Sequence, residues 1–536
     1  MQDIVRHAHL TATEIVQHFR QLRVLVIGDA MLDTYLEGEA SRLCSEGPVP
    51  VVSKTAVHRL PGGAANTAAN LCTLGADVKF LSMVGSDLTG SLLRDVLRTY
   101  GLDDRWLVED ERLETFHKLR VCADGQYVVR FDEGGRHKSN QAAQQKLIAN
   151  LEEAYALCDL VVVSDYCYGL ITDELITCLK NLHAASPKIM LIDSKALHRY
   201  RDIKATVVTP NDLEARLLVE KMSEKSQQGI GQSGLPGIED IEPLGWQLLS
   251  LLDTELVAIT LAERGVFLLD RQGNASFIAA HPVAQAYDVG AGDSFSAAMA
   301  LALTVTEDTE EAARIGIDAA GIAVTKQRTA VVNYQELLQR VSLREYAMYT
   351  MCQTQTNHAA YIRDMHAAVD RLAQLLEAER LLGRKIVFTN GVFDILHAGH
   401  IQLLRQAKEL GDVLVVGMNS DNSVRRLKGN GRPINSERDR MALVNALDVV
   451  DHVVLFDEDT PCELIRKLRP HIHVKGGDYA QETLPEAEVV REVGGSIIIL
   501  PLVGTMSTSN MIERIVALAT ENTGETAHYA QGGSYD

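Results

Sequence analysis

Short apolar runs punctuate the chain almost from end to end, and helical patterns separate them. RVLVIGD (23–29), DLVVVSD (159–165), KIMLID (188–193), ATVVTP (205–210), LVAIT (256–260), KIVFTN (385–390), DVLVVGM (412–418) and SIIILP (496–501) are nearly continuous in aliphatic residues. A strand with one face in water alternates. A strand this uniformly apolar is buried on both faces, as in a parallel sheet covered by helices. Alternation of such strands with helical segments predicts an α/β fold. The pattern breaks at about 340–384, where YAMYTMCQTQTNHAA has no clear strand and little charge. Beyond it Ile362, Met365, Val369, Leu372, Leu375 and Leu376 recur at helical spacing, and Gly383 stands where a helix C-cap belongs. The expected organisation is a catalytic unit over 1–340, a linker and leading helix over 341–383, a second catalytic unit over 384–520 and a flexible tail over 521–536. The Gly/Ser/Gln-rich stretch 223–243 reads as a surface loop of the first unit.

Length and composition agree with two large α/β units. At 536 residues the chain exceeds a single core. Its 46% hydrophobic and 23% charged residues are the balance of a globular enzyme. A formal charge of −20 argues against nucleic acid as a partner, yet backbone N–H groups and a few cations still hold phosphates locally. Eight scattered cysteines without a CxxC read as free thiols in a reducing compartment. The start shows no uninterrupted apolar segment of a signal peptide, and no run approaches the roughly 20 residues that span a bilayer. A cytoplasmic protein with no membrane partner is expected.

Candidate chemistry in the first unit centres on AYDVGAGDSFSAAMALAL (286–303). Gly290, Ala291 and Gly292 permit a tight turn that aims N–H groups at one point, ahead of an apolar helix. Asp293 at the helix start is placed to accept a proton from a hydroxyl attacking a phosphoryl group. Asp is also a favoured N-cap, so the segment alone reads equally well as a capped turn. Two other stretches shift that balance. In LPGGAAN (60–66), Gly62 and Gly63 let a sugar approach the backbone, and Asn66 offers an amide. GDAMLD (28–33) follows the first strand, at the end where ligands bind α/β sheets. Asp29, Asp33 and Asn66 are candidates for sugar hydroxyls.

These motifs resemble the ribokinase-like carbohydrate kinases over about 1–335. The resemblance implies that Asp293 is the catalytic base and that the N–H groups of Gly290–Gly292 stabilise the transferred phosphate. TPNDLE (209–214) matches the family's TPNxxE and implies nucleotide contacts at Asn211, Asp212, Leu213 and Glu214, with Mg²⁺ met by Glu214 through the nucleotide. TLAERG (260–265) implies that Glu263 and Gly265 lie near the same nucleotide. With no Gly-Lys dipeptide in the chain, a P-loop kinase is excluded.

In the second unit, TNGVFDILHAGH (389–400) runs from a strand into a helix. His397 and His400 share a face at a spacing of three, and two imidazoles can donate to phosphate oxygens as charge builds in a transition state. A zinc pair is the competing reading, but zinc usually needs three or four ligands and only Asp394 lies near. The motif resembles the HxGH nucleotidyltransferases of the cytidylyltransferase-like group, a Rossmann-like fold. Asn390, Gly391, Phe393 and Asp394 are expected at the nucleotide. Arg426, Lys428 and Arg432 are cations suited to a triphosphate, and Lys475 lies in VKGGDY (474–479). Ser507, Thr508 and Ser509 are phosphate contacts in this company, although an N-cap is their default reading.

Together the halves resemble the bifunctional heptose kinase/adenylyltransferases of the ADP-heptose pathway over nearly the full length. That resemblance implies ATP as substrate of both units, Mg²⁺ as cofactor, heptose phosphates as sugar substrates and a homodimer. Three departures fall in the first unit. The family's DVTGAGD is one residue short here, since Val289 runs directly into Gly290. Tyr168 stands where the family has a lysine after SDY. Lys326-Gln327-Arg328-Thr329-Ala330 replaces a Gly/Ser/Thr-rich stretch. A kinase half reduced to a sugar-phosphate-binding or dimerisation module, or a pair of enzymes acting on another sugar phosphate, is therefore the alternative. ATP rather than CTP rests on the resemblance alone.

Overall fold

The computed structural model describes residues 10–135, 140–222, 241–280, 283, 286–287, 289–351, 358–477 and 484–501. Ser507, Thr508 and Ser509, most of the 223–243 loop and the 521–536 tail lie outside them. The chain divides into two compact units, residues 1–341 and 342–536.

In the first unit the strands are β1 Arg23–Gly28, β2 Ala30–Leu43, β3 Pro50–Gly63, β4 Asp77–Gly85, β5 Leu107–Asp110, β6 Phe116–Ala123, β7 Gln126–Glu133, β8 Leu160–Asp165, β9 Ile189–Ser194, β10 Val207–Val208, β11 Leu256–Thr260, β12 Gly265–Asp270 and β13 Ala275–Ala279. Nine form one sheet in the order β13-β12-β11-β10-β9-β8-β1-β4-β5. It is parallel except where β12 pairs with β11 and β13. Every residue of β8, and all of β1 after Arg23, is buried, as uniformly apolar strands require. The helix Ala291–Val305 is buried from Asp293 to its end. Its many alanines let neighbours pack close, and Phe295 lies where a side chain on Gly316 of the next helix would stand.

A second sheet, β3-β2-β6-β7, was not anticipated from the sequence. Its long β2–β3 ribbon pairs Ala30 with Gly63 at one end and Leu43 with Pro50 at the other. The ribbon is buried where it meets the main sheet and exposed farther out.

The second unit contains β14 Ile386–Gly391, β15 Val413–Asn419, β16 His452–Phe456, β17 Ile472–Gly476 and β18 Ser496–Leu500, in the order β16-β15-β14-β17-β18 and all parallel. The order reverses between β14 and β17, which makes their carboxyl ends the natural ligand crevice. The stretch expected as a linker carries core residues. Tyr346 donates its hydroxyl to the Val453 carbonyl at 2.8 Å. Met365, Val369, Leu372, Leu375 and Leu376 are buried on the helix His358–Leu381, and Gly383 follows with φ +77°. Among the described residues no helix is long and apolar enough to cross a membrane, and the described cysteines are free thiols.

Candidate functional site

In the first unit the carboxyl ends of the central strands and the start of the helix Ala291–Val305 enclose a cavity of about 260 Å³. Asn211, Glu214, Gly290, Gly292 and Asp293 all line it, together with Asp165, Tyr166, Asp193, Lys195, Thr209 and Thr260. Gly290 has φ +90°, and a side chain there would stand 2.9 Å from the Asn66 amide and 3.0 Å from the Ala330 nitrogen. Glycine is required on both counts. The shortened loop is anchored by the Ala330 N–H, which donates to the Val289 carbonyl at 3.3 Å.

Asp293 is buried, and neutral donors surround its carboxylate. The Asn66 amide donates to Oδ2 at 2.8 Å. The hydroxyls of Thr67 and Tyr166 each donate to Oδ1 at 3.0 Å. Burial raises its pKa above the usual carboxylate range, and the three donors pull it partly back. A carboxylate oxygen accepts about two hydrogen bonds. Oδ1 is therefore filled, and Oδ2 retains the lone pair that can take a proton. Nearby, Asp193 is pushed up to about 8 by burial and by the Asp293 and Glu214 charges, with Lys195 opposing.

Asn211 and Glu214 cap each other. The Asn211 N–H donates to Glu214 at 3.0 Å, and the Glu214 N–H donates to the Asn211 side chain at 2.9 Å. This reciprocal cap starts the helix Asp212–Met222 and holds both side chains at the cavity. The structure does not bring Asp212 and Leu213 to it. Asp212 pairs with Arg216 at 2.9 Å, and Leu213 is 64% exposed. On a helix, successive residues point in different directions. Glu263 is exposed in the turn after β11, and Gly265 starts β12 against the Ile278 carbonyl of β13.

The residues expected at the sugar are engaged within the protein. Asp29 accepts N–H bonds from Tyr166, Tyr168 and Leu170 at 3.0–3.3 Å, so it orders the 166–170 loop. Burial, then the Asp165 charge, raises it to about 6. Asp33 lies 2.9 Å from the Arg120 guanidinium and accepts the Thr329 hydroxyl at 2.6 Å. Gly62 and Gly63 make room for Asp33 and Met31, whose atoms lie within 2.9 Å and 2.4 Å of where their side chains would start. The glycines thus serve the crossing of β2 and β3.

Tyr168, in place of a lysine, stacks on Phe116 at 4.1 Å. Two cations nevertheless reach this region: the ammoniums of Lys195 and Lys118 lie 5.4 Å and 5.8 Å from the Tyr166 ring.

In the second unit Asn390, next to last in β14, meets Lys475 of β17, whose ammonium donates to it at 2.9 Å. It also meets the buried Glu486 at 2.8 Å. Burial opposes the Glu486 charge, but His473 and Lys475 prevail and hold it down at about 2. His397 stands at the N-cap position of the helix Ala398–Lys408 without a capping side-chain hydrogen bond, and its ring stacks on His400 at 3.9 Å. Both Nδ1 atoms are buried without a hydrogen-bond partner among the described residues, which leaves Nε2 as the ring nitrogen able to meet a ligand. Burial, then His397, lowers His400 to about 4, so it is neutral near pH 7.

Two expected contacts have other tasks. Phe393 is buried and its ring supports His400 at 5.3 Å. Asp394 accepts the Ile434 and Asn435 N–H groups at 2.8 and 2.9 Å and the Arg432 guanidinium at 2.6 Å. Burial pushes its pKa up, but these donors outweigh it, and the carboxylate stays below its ordinary value. Arg426 pairs with Asp457 and Asp459. Of the three expected triphosphate cations only Lys428, which is exposed, forms no ion pair among the described residues.

Residues 21–335 match the pfkB family of carbohydrate kinases, and residues 388–510 match the cytidylyltransferase-like family. The chain is 37% identical over 503 residues to the bifunctional protein HldE of Geobacter metallireducens, covering 93% of this chain and 96% of that one. The HldE of Shewanella sediminis is also 37% identical, over 93% of this chain and 98% of its own. The chain belongs to the HldE family of bifunctional proteins. Phosphofructokinase-2 of Escherichia coli, solved with substrates and products, overlaps 60% of the chain and 99% of its own, at 21% identity and a TM-score of 0.49. By its family matches this HldE-family chain is an enzyme with a pfkB-family carbohydrate kinase domain followed by a cytidylyltransferase-like nucleotidyltransferase domain.

Sequence reasoning alone missed Thr67, Asp193 and Lys195, and gave Tyr166 no role. It also missed Arg440, whose fully buried guanidinium donates to the Val392 and Asn419 carbonyls and to Asp421 at 2.5–2.9 Å. Arg440 thereby ties the loop after β14 to the end of β15. In the sequence it ends a run of four charged residues, Glu437 to Arg440, and nothing local marks it as buried.

Proposed function

We propose that the first unit transfers the γ-phosphoryl group of ATP to O1 of D-glycero-D-manno-heptose 7-phosphate. The product is the 1,7-bisphosphate; after a separate phosphatase removes the 7-phosphate, the second unit transfers the adenylyl group of ATP to heptose 1-phosphate, giving ADP-heptose and pyrophosphate. The observation that carries this reading is the gathering of Asp293, Gly290, Gly292, Asn211 and Glu214 around one cavity in a chain related to HldE over nearly its whole length. That clustering favours a working kinase over a degenerate binding module.

In the kinase step the anomeric hydroxyl gives its proton to Oδ2 of Asp293 as its oxygen attacks the γ-phosphorus, and the bond to the β-phosphate oxygen breaks. The N–H groups of Gly290 and Gly292 receive the charge that develops. No cluster of three or more His, Cys, Asp or Glu among the described residues could hold a metal. Mg²⁺ typically binds through substrate phosphates with one or two carboxylates, and Glu214 at the cavity fits that pattern. Bound there, it neutralises phosphate charge.

In the transferase step the nucleophile is already an anionic phosphate, so no base is required. It attacks the α-phosphorus and pyrophosphate leaves. His397 and His400 donate to phosphate oxygens, and Lys475 and Lys428 supply positive charge. The reading includes a cytoplasmic homodimer. Support for a dimer comes from β7, a sheet edge whose Tyr127, Val128, Val129 and Phe131 are exposed.

The test is ³¹P NMR of the protein with Mg-ATP and the heptose 7-phosphate. A new anomeric phosphate signal is expected, lost by at least about a hundredfold in rate in Asp293→Asn while ADP-heptose formation from heptose 1-phosphate continues. No signal from the wild type, with adenylyl transfer intact, would leave the first unit as a binding module.

A further inference from the structure

We propose that Tyr166 is a positioning residue for phosphoryl transfer: its hydroxyl fixes Oδ1 of Asp293 so that only Oδ2 faces the substrate proton. The inference rests on the kinase reading above and deepens it. Three groups hold the Asp293 carboxylate, and only Tyr166 also reaches the cations of the site. Asn66 and Thr67 belong to the buried helix Ala64–Thr73. Tyr166 follows β8, and its own N–H is held by Asp29 at 3.0 Å. Its hydroxyl meets Oδ1 at 3.0 Å, while the ammoniums of Lys195 and Lys118 both lie within 6 Å of its ring. An aromatic face attracts cations at such distances. One side chain therefore links the proton acceptor to two positive charges, of which Lys195 lines the cavity where phosphoryl charge moves.

The two parts of the side chain separate by substitution. Phenylalanine keeps the ring and its packing but loses the hydrogen bond. Leucine loses both. A hydrogen bond to the charged form of an acid favours that form, so its loss raises the pKa of Asp293. The charged groups around Asp293 on the surrounding elements are Asp33 on β2, Asp165 on β8, Asp193 on β9, Lys195 after β9 and Glu214 on its helix, and Lys118 on β6 faces Asp33. None of them changes in Tyr166→Phe.

The experiment is the pH profile of kinase kcat/KM in the full chain. In Tyr166→Phe the acid limb moves to higher pH, kcat falls about tenfold, and KM for ATP stays within twofold. Tyr166→Leu adds a rise of several-fold in KM for the phosphorylated sugar. Thr67→Val, which removes the other donor to Oδ1, moves the limb in the same direction, and Thr67→Ser does not. Thr67→Val carries the same prediction should Tyr166→Phe fail to fold. Adenylyl transfer, run on the same preparations, is unchanged throughout. A packing role alone predicts an unmoved profile in Tyr166→Phe, and that result with normal wild-type turnover overturns the role of Tyr166 only. A wild type that phosphorylates no heptose phosphate overturns the proposed function and this inference together.

Discussion

The two candidate sites sit at the same place in their sheets and are built from opposite materials. In the first unit the site carries carboxylates: Asp29, Asp165 and Asp193 at strand ends, and Asp293 and Glu214 at helix starts. In the second the site carries imidazoles and cations: His397 and His400 at a helix start, Lys428 at a helix end and Lys475 on β17. The nucleophiles explain the contrast. A sugar hydroxyl must lose a proton as it attacks, so its site needs a basic carboxylate kept from neutralisation by any adjacent cation. The donors on Asp293 are accordingly an amide and two hydroxyls. A phosphate nucleophile is already an anion and meets another polyanion, so its site needs donors and positive charge instead.

Removing the imidazoles breaks the comparison most directly. His397→Ala and His400→Ala should each lower adenylyl transfer about 10²–10³-fold, as expected for a lost transition-state donor, and leave the kinase rate unchanged. Assaying both reactions on one preparation decides the matter. Equal loss of both activities would mean that the sites are not independent. A normal transferase rate would mean that the stacked pair serves packing.

The central strands of both main sheets were legible because burial on two faces writes itself into local composition, as in LVVVSD or VLVVGMN, whereas β4, β5, β12, β13, β16 and β17 were not among the runs read. The four-stranded sheet was not legible either. Its β7, QYVVRFDE, is exposed throughout, and β2 passes from full burial to solvent within one strand, so neither has one hydrophobic period. The catalytic candidates were legible where small residues had to precede a functional group, as in GAGD and HAGH. The supporting groups were not. Tyr166 and Thr67 meet Asp293 from more than 120 residues away. Likewise, Asp33 and Asp394 are exposed polar residues by composition but internal acceptors in the structure. A side chain that is consumed by its own fold and one that awaits a ligand look identical in one dimension.

The same contrast predicts opposite responses to acid. In the second unit burial lowers His400 and His452 to about 4, and lowers His471 and His473 as well. Between the unfolded value of about 6.5 and about 4 the unfolded state binds more protons, so this unit loses stability as pH falls through that window. In the first unit Asp29 is raised to about 6 and Asp193 to about 8, with Asp293 raised too. Here the folded state binds more protons, and the cost of burying these charges is relieved as pH falls, against a smaller opposing effect of His183 and His198. Hydrogen exchange on the full ligand-free chain at pH 7.5 and 5.5, resolved by unit, should show protection dropping in the second unit and holding or rising in the first. A parallel drop in both would contradict the difference in their buried charges.

The smallest expected effect sharpens where the kinase cavity ends. The TPNxxE resemblance places Asn211 through Glu214 at the nucleotide as a block, whereas the helix turns Leu213 outward and brings only Asn211 and Glu214 to the cavity. Leu213→Ser therefore changes KM for ATP in the kinase reaction by less than about twofold, since an exposed side chain away from ligand contributes little. Asn211→Ala removes a cavity-lining amide and the half of the reciprocal cap that holds Glu214 in place, and should raise that KM several-fold. Steady-state kinetics of the two variants side by side are sufficient. Equal increases would return the nucleotide to the solvent-facing side of the helix. A flat response at 213 with a rise at 211 means that the helical period, rather than the motif as a string, decides which of its residues touch the nucleotide.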